Sequence, residues 1–279
     1  MVQPTDDGFK RGRMEMEKGA EEKAELLMEK AEAITTRLEA ELAFRFLGRH
    51  IPDILRGDDD RKLNILDVGS GVGEASLRFA ALGHRVTLLE PQACLLETAM
   101  ERAREQALDR TADLRFINER IENLEACLQE DFDLILCHET IEYVDDPLKA
   151  LNIITRVLRP RGLLSLVFLN RYGLIMDKVL REGNVKEALD AFDMEEFTTP
   201  LHRGKGHLYS DIELRMLLEP LGYNIEGEYG LLVFSEYIDC SLFEPGQCFK
   251  GMLELEERAG SEPHLKYVGK YTQLVCSKS

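Results

Sequence analysis

The spacing of apolar residues over the first fifty positions predicts one long helix. From about Glu15 to Ile51 these residues recur every three or four positions, as they do on one face of an α-helix, and Pro52 marks the end. We expect this face to pack against the main sheet; a lid over a bound ligand and a contact between copies are the alternatives. The apolar positions are Leu27, Ala31, Ile34, Leu38, Leu42 and Phe46.

From Leu63 onward, short runs of β-forming residues alternate with helical stretches. This alternation is typical of βαβ units, so we expect a doubly wound α/β fold with a mainly parallel sheet. The expected strands are Asn64 to Val68, Arg85 to Glu90, Leu114 to Asn118, Phe132 to Cys137 and Leu163 to Phe168. The expected helices are Glu74 to Leu82, Ala93 to Gln106, a short one near Asn123 and one that begins at Pro147.

The remainder of the chain has a weaker pattern. It is irregular from Asn170 to Ser210, and we interpret residues 170–209 as an insertion on the substrate side. Ser210 and Glu213 fit a capping box for a helix that runs to about Leu218. The tail predicts two β-like runs, Tyr223 to Tyr229 and Leu231 to Tyr237, a helix around Met252 to Arg258 and a last strand near Tyr267 to Cys276. The whole pattern therefore predicts an N-terminal helical extension, residues 1–62, and one α/β domain, residues 63–279.

The net charge and the cysteine content limit the kinds of molecule that the protein is expected to bind. The 279 residues carry 52 acidic and 35 basic side chains, a formal charge of −17, which opposes nonspecific binding to polyphosphate or to an anionic membrane. The six cysteines have no C-x-x-C spacing, so we expect reduced core residues and no metal site. The chain has no apolar stretch of the roughly 18 residues that a membrane span needs, which favours a cytoplasmic protein without membrane contact.

A glycine-rich turn separates the first strand from the following helix. Asp67 precedes three glycines in the spacing G-x-G-x-G, Gly69, Gly71 and Gly73. A dinucleotide-binding turn has the spacing G-x-G-x-x-G and places a pyrophosphate at the start of the helix. Here Glu74 occupies the position of that last glycine, and its carboxylate would repel a pyrophosphate. The turn therefore disfavours NAD.

The same turn, together with Glu90 at the end of the next strand, resembles the class I S-adenosylmethionine-dependent methyltransferases. The resemblance implies that the glycine turn lies along the aminoacid end of S-adenosylmethionine and that Glu90 accepts hydrogen bonds from both ribose hydroxyls. It further implies that an arginine of the N-terminal helix reaches the cofactor carboxylate, and Arg37 is the best candidate. The alternative is that Arg37 lies on the solvated face of the helix. The implied cofactor contacts are Arg37, Asp67, Gly69, Ser70, Gly71, Gly73, Glu90, Ile121, Glu122 and His138.

A closer resemblance covers the chain roughly from Leu63 to its end. Leu134 to His138, Leu158 to Met176, Leu253 to Glu256 and Tyr267 to Tyr271 are similar to the bacterial tRNA 5-carboxymethoxyuridine methyltransferases. That family methylates the carboxylate of a modified wobble uridine. The resemblance implies an acidic methyl acceptor such as tRNA.

The identity of catalytic residues is left open by the sequence. His138 ends a buried strand beside the expected methyl donor, where it could position the acceptor, act as a base or be merely hydrogen-bonded. A carboxylate acceptor is already ionised, so alignment matters more than proton transfer. The candidates for acceptor contacts are Asn170, Arg171, Tyr172 and Arg203.

The charge distribution also keeps other functions open. A tRNA enzyme usually presents an extended basic face, whereas this sequence has only a small basic island at residues 201–209. A small-molecule O- or N-methyltransferase and a noncatalytic cofactor-binding partner are therefore alternatives. The sequence predicts no oligomeric state.

Overall fold

A seven-stranded sheet forms the centre of the molecule. The computed structural model describes residues 34–51, 61–128, 130–199, 204–238 and 245–279. Its strands are β1 Asn64–Val68, β2 Arg85–Leu89, β3 Asp113–Ile117, β4 Phe132–His138, β5 Leu158–Leu169, β6 Glu196–Thr199, β7 Gly204–His207, β8 Tyr223–Leu231 and β9 Tyr271–Lys278. The main sheet has the order β3-β2-β1-β4-β5-β9-β8, and β6 and β7 form a separate hairpin.

The first five strands are parallel, and the last two are antiparallel. β1 pairs with β2 on one side and with β4 on the other, while β9 runs antiparallel to both β5 and β8. This confirms the predicted doubly wound, mainly parallel fold. Because the chain leaves β1 toward one edge of the sheet and returns through β4 toward the other, the strand order reverses between them. Ligands of open α/β sheets bind at such a reversal.

The helices that flank the sheet follow most of the predicted positions. The Asp146 side chain caps the helix that begins at Pro147 by accepting from the Lys149 amide at 2.9 Å. The predicted capping box of Ser210 and Glu213 is also present. The helices are α1 at residues 34–48, α2 Glu74–Ala81, α3 Ala93–Glu105, α4 Leu108–Thr111, α5 Leu124–Cys127, α6 Pro147–Val157, α7 Arg171–Leu180, α8 Val185–Asp190, α9 Asp211–Leu218 and α10 Pro245–Ser261.

Helix α1 packs against the sheet, as its apolar face predicts. Leu38 and Phe46 are fully buried and share a cluster with Val167 of β5 and Leu231 of β8. The Phe46 ring also stacks on Tyr229 at 4.3 Å between centroids. Burying such side chains contributes roughly 1.5 to 3 kcal/mol each, so α1 is firmly attached. The part of the predicted helix before residue 34 lies outside the described residues.

The expectation of an irregular segment between Asn170 and Ser210 was wrong. The segment contains α7, α8 and the β6–β7 hairpin. The Asn170 side chain caps α7: its oxygen accepts from the Tyr172 backbone amide at 3.2 Å, and its NH2 group donates to the carbonyl oxygen of Tyr267. The helix is hard to detect in sequence because Gly173 interrupts it. A side chain there would collide with the Gly269 carbonyl, so the glycine allows a close approach.

The prediction of a second tail strand, Leu231 to Tyr237, was also wrong. Strand β8 ends at Leu231, and the amides of Val233, Phe234 and Ser235 donate to the buried Glu256 carboxylate of α10. Since those amides are occupied, the segment cannot pair with the sheet. The last strand likewise begins at Tyr271, four residues later than predicted.

The cysteine prediction holds in part. Cys137 and Cys276 are buried and free, whereas the free Cys94 is exposed and the free Cys127 is half-buried. The described residues contain no group of three or more acidic, histidine or cysteine side chains placed to hold a metal ion. Nor does any helix among them have the length and apolar character needed to cross a membrane.

Candidate functional site

Two adjoining cavities open where the strand order reverses. The first cavity, about 250 Å³, lies between the glycine turn and α1, and the second, about 420 Å³, lies beside the end of β2. Gly69, Gly71 and Glu139 line both cavities, so the two are continuous. The first is also lined by Thr36, Glu39, Ala40, Asp67, Ser70, Glu74 and His138, and the second by Glu90, Gln92, Glu119, Arg120, Ile121, Glu122, Thr140, Tyr143 and Lys205.

The glycine turn is packed tightly against the end of β4. Gly69 has a φ of +69°, and a Cβ there would collide with the Thr140 side chain. The Thr140 hydroxyl in turn donates to the Val68 carbonyl at 3.1 Å. By contrast, Gly71, with a φ of +52°, would place its Cβ more than 4 Å from other atoms. The turn is therefore fixed at one glycine and leaves open space at the other.

Glu90 holds the turn and the next loop together. Its buried carboxylate accepts from the Gly71 amide at 2.9 Å through one oxygen and from the Gln92 amide at 2.8 Å through the other. Each carboxylate oxygen has a second lone pair, which can accept a hydroxyl of a bound sugar. Glu90 thus lies directly after β2, with both carboxylate oxygens oriented by backbone amides.

Asp67 and Ser70 face the first cavity from the same turn. The Asp67 carboxyl accepts from the Ser76 hydroxyl, and burial raises its pKa to about 7 although that hydrogen bond lowers it. The Ser70 hydroxyl is nine-tenths buried and has no hydrogen-bond partner among the described residues. A buried polar atom that lines a cavity in this state needs a partner from a ligand or from water.

The segment between β5 and α9 covers the second cavity. Phe197 of β6 packs edge-on against Tyr143 at 5.9 Å, and a side chain at Gly206 of β7 would collide with both rings. This contact brings Lys205 into the lining, although its Nζ also pairs with Glu196 at 2.6 Å. Ile121 and Glu122, which the resemblance assigns to the cofactor, lie in the same cavity.

His138 is held by a buried polar network. Its Nε2 lies 2.8 Å from the Ser165 hydroxyl, which accepts from the Gln273 amide at 2.9 Å. The same amide reaches the Ala43 carbonyl of α1 at 3.0 Å. A hydroxyl that accepts from Gln273 can donate its own hydrogen to Nε2, which leaves the imidazole proton on Nδ1. The network therefore favours a neutral, oriented imidazole.

His138 is expected to stay neutral through the physiological pH range. Burial lowers its pKa to about 4, well below the ordinary value of an imidazole. In a two-dimensional NMR titration, the ring signals of His138 should not move between pH 8 and about pH 5. The His138→Asn spectrum assigns those signals. A midpoint near 6.5 would show that the ring is solvated and available as a base.

Helix α1 presents a different residue to the cavity than the one predicted. The Arg37 guanidinium lies over the Phe249 ring at 4.5 Å, and Arg37 lines neither cavity. Glu39 lines the first cavity instead, where it faces Glu139. The sequence reasoning missed both glutamates, although Glu139 directly follows His138 at the end of a strand, where ligands bind.

The predicted acceptor contacts are placed away from the two cavities. Asn170 is occupied as the cap of α7, and Tyr172 borders a shallow surface groove beside Tyr267. Arg171 is buried and donates to carbonyl oxygens within the insertion, and it pairs with Glu213 at 3.2 Å. These contacts favour a structural role for Arg171. Arg203 lies outside the described residues.

Sequence comparisons with known proteins identify the family. Residues 66–166 match a family model described as a methyltransferase domain. Over 222 residues, which cover 78% of this chain and 81% of the relative, the sequence is 30% identical to tRNA 5-carboxymethoxyuridine methyltransferase of Escherichia coli. The chain belongs to the class I S-adenosylmethionine-dependent methyltransferases. It is an enzyme that uses S-adenosylmethionine.

Two further proteins are similar to this methyltransferase, one over part of its sequence and one in its fold. Ubiquinone biosynthesis O-methyltransferase of Actinobacillus pleuropneumoniae is 36% identical over 107 residues, which cover 38% of this chain and 46% of that protein. Magnesium protoporphyrin IX methyltransferase of Synechocystis, solved with bound S-adenosylhomocysteine, superposes with a TM-score of 0.52 at 13% identity and covers 86% of this chain and 85% of that one. The second match supports the fold.

The residues present suit S-adenosylmethionine. The unpartnered Ser70 hydroxyl and the open space at Gly71 leave room and a polar partner beside the turn, and Glu90 offers its remaining lone pairs. Among the described residues, seven carboxyl groups and two basic side chains line the two cavities. This excess of acid complements a cofactor that carries a sulfonium and an ammonium group. When bound, the cofactor supplies an activated methyl group.

Proposed function

We propose that this enzyme methylates the carboxylate of 5-carboxymethoxyuridine in tRNA. The observation that carries the proposal is the similarity to the Escherichia coli enzyme over 81% of that protein. Because 222 matched residues exceed the length of the cofactor-binding part, the similarity extends into the segments that cover the site. A shared cofactor fold alone would match a shorter stretch.

The chemistry of such an acceptor suits the environment of His138. A carboxylate is ionised at neutral pH, so its oxygen can attack the methyl carbon of the sulfonium without losing a proton. The new carbon–oxygen bond forms as the carbon–sulfur bond breaks, and the products are a methyl ester and a neutral thioether. A neutral His138, fixed through Ser165, is a poor base but a suitable hydrogen-bond donor for alignment.

Lys205 is the candidate contact for the negative charge of the acceptor. It is exposed, it belongs to the hairpin that covers the second cavity, and its partner Glu196 is exposed as well. An exposed ion pair contributes little to stability, so Lys205 can exchange Glu196 for a ligand at little cost. The other basic group of the lining, Arg120, is paired with both Glu122 and Asp145.

A small acidic molecule is the second candidate acceptor. The charge of −17 and the acidic lining favour it over a polyanion. However, the similarity to ubiquinone biosynthesis O-methyltransferase covers less than half of either chain. It therefore supports the shared cofactor domain more than a shared acceptor.

Direct assay of tRNA separates these functions. Purified enzyme and S-adenosylmethionine are incubated with tRNA from cells that lack the gene, and the digested nucleosides are analysed by mass spectrometry. Formation of the methyl ester of 5-carboxymethoxyuridine supports the proposal, and His138→Asn should slow it. Thioether formation only with small carboxylic acids would favour the second candidate. Cofactor binding without turnover on either substrate would contradict both candidate acceptors.

A further inference from the structure

Two carboxyl groups meet in the wall of the first cavity. Glu39 comes from α1 and Glu139 from the loop after β4; both are half-buried, and their side chains are hydrogen-bonded to each other. The Tyr271 hydroxyl is hydrogen-bonded to Glu139 as well. Glu139 has a φ of +48°, held by a 2.8 Å bond from its amide to the Val167 carbonyl. Strained backbone of this kind is concentrated at functional sites.

The surroundings favour one shared proton on this pair. Burial raises the pKa of Glu39 well above its ordinary value, and the charge of Glu139 raises it further. Lys270 opposes this effect, but Lys270 is itself paired with Glu236 at 3.1 Å, and Glu236 again raises the pKa. Two carboxyl groups in contact cannot both ionise without a large repulsion. The contact between the two carboxyl groups therefore favours a single shared proton on the pair.

We propose that the Glu39–Glu139 pair binds the ammonium group of S-adenosylmethionine and releases its shared proton to solvent as the cofactor binds. The ammonium would then lie between two carboxylates. The proposal concerns the cofactor, so it does not depend on which acceptor the enzyme uses.

Three observations point to the aminoacid end of the cofactor. The pair lines the cavity that also contains the unpartnered, nine-tenths buried Ser70 hydroxyl. Gly69 and Gly71 of the glycine turn line the same cavity. Finally, the described lining of the first cavity contains acidic side chains and neither lysine nor arginine, because Arg37 is turned toward Phe249. A cation fits this wall better than an anion.

Calorimetry can count the released proton. Cofactor binding is measured near pH 7 in two buffers with different ionisation enthalpies, and the difference in apparent enthalpy gives the protons exchanged. We expect release approaching one proton per cofactor in the wild type. Affinity should accordingly rise with pH, by up to about tenfold per unit, until the free pair ionises on its own.

Glu39→Gln is the decisive variant because glutamine keeps the size and hydrogen bonding of the side chain. It removes the shared proton, so proton release should vanish and affinity should become nearly independent of pH. The comparison is needed because Asp67, Glu74 and His138 also face this cavity. Glu41→Gln is the matched control: Glu41 lies on the same helix, pairs with Arg45 and Arg78, and lines neither cavity.

Binding of related ligands tests whether the carboxyl pair binds the ammonium group or the sulfonium group of the cofactor. S-adenosylhomocysteine keeps the ammonium but lacks the sulfonium, so it should release the same proton. 5′-Methylthioadenosine lacks the aminoacid end and should release none. Unchanged proton release in Glu39→Gln, with native melting of the variant, would overturn the proposal. So would the absence of release in the wild type, or release with S-adenosylmethionine but not with S-adenosylhomocysteine.

Discussion

Replacing Glu90 by alanine is expected to weaken S-adenosylmethionine binding by about a hundredfold or more. The carboxylate is fixed by the amides of Gly71 and Gln92 and is expected to accept both ribose hydroxyls. Hydrogen bonds to a charged group contribute roughly 1.5 to 3 kcal/mol each, so losing two removes at least two powers of ten in affinity. Isothermal titration calorimetry with the cofactor measures the loss.

Two companion variants make this result specific. Glu90→Gln keeps one acceptor oxygen but loses the charge, so its affinity should lie between those of the wild type and the alanine variant. Glu97→Ala, an exposed position on α3 outside both cavities, should bind as the wild type does. If Glu90→Ala bound the cofactor normally, the ribose would have to lie elsewhere.

Gly69→Ala is expected to destabilise the protein and to abolish cofactor binding. The new Cβ would collide with Thr140, and alanine at a φ of +69° is strained. The left-handed backbone costs about 1 to 2 kcal/mol and overpacking about 1 to 3 kcal/mol, so the free energy of unfolding should fall by about 2 to 5 kcal/mol. Urea unfolding followed by circular dichroism measures the change.

Gly71→Ala separates the two contributions. Gly71 also has a positive φ, but its Cβ would meet no atom within 4 Å. Its free energy of unfolding should therefore fall by only the backbone cost, about 1 to 2 kcal/mol. Equal losses in the two variants would show that the turn relaxes away from Thr140 and that the close contact is unimportant.

The sheet and the glycine turn were predictable because their information is local. Most of the parallel strands contain a short apolar run, and the turn is a contiguous segment whose spacing identifies the cofactor. Glu90 could be placed because the end of a strand is also the edge of the sheet at which ligands bind. The orientation of α1 toward the sheet followed from its apolar face.

Long-range contacts account for what the sequence did not predict. Helix α7 was missed because its glycine is explained only by the approach of Gly269, almost a hundred residues away. The segment after β8 is turned away from the sheet by Glu256, a residue of another helix. Likewise, the choice between Arg37 and Glu39 depends on the rotation of α1 about its axis. The spacing of apolar residues along α1 does not determine this rotation closely enough to choose between the two residues.

Arg171 has a consequence for how this family can diversify. One buried guanidinium joins the start of α7 to the end of α8, to Leu208 directly after β7 and to the cap of α9. The segment that covers the site is thus cross-linked from within, independently of the glycine turn. Substitutions of the outer residues of this segment can therefore change the molecules it admits without disturbing its internal hydrogen bonds. Loss of Arg171 itself would affect every position in the segment at once.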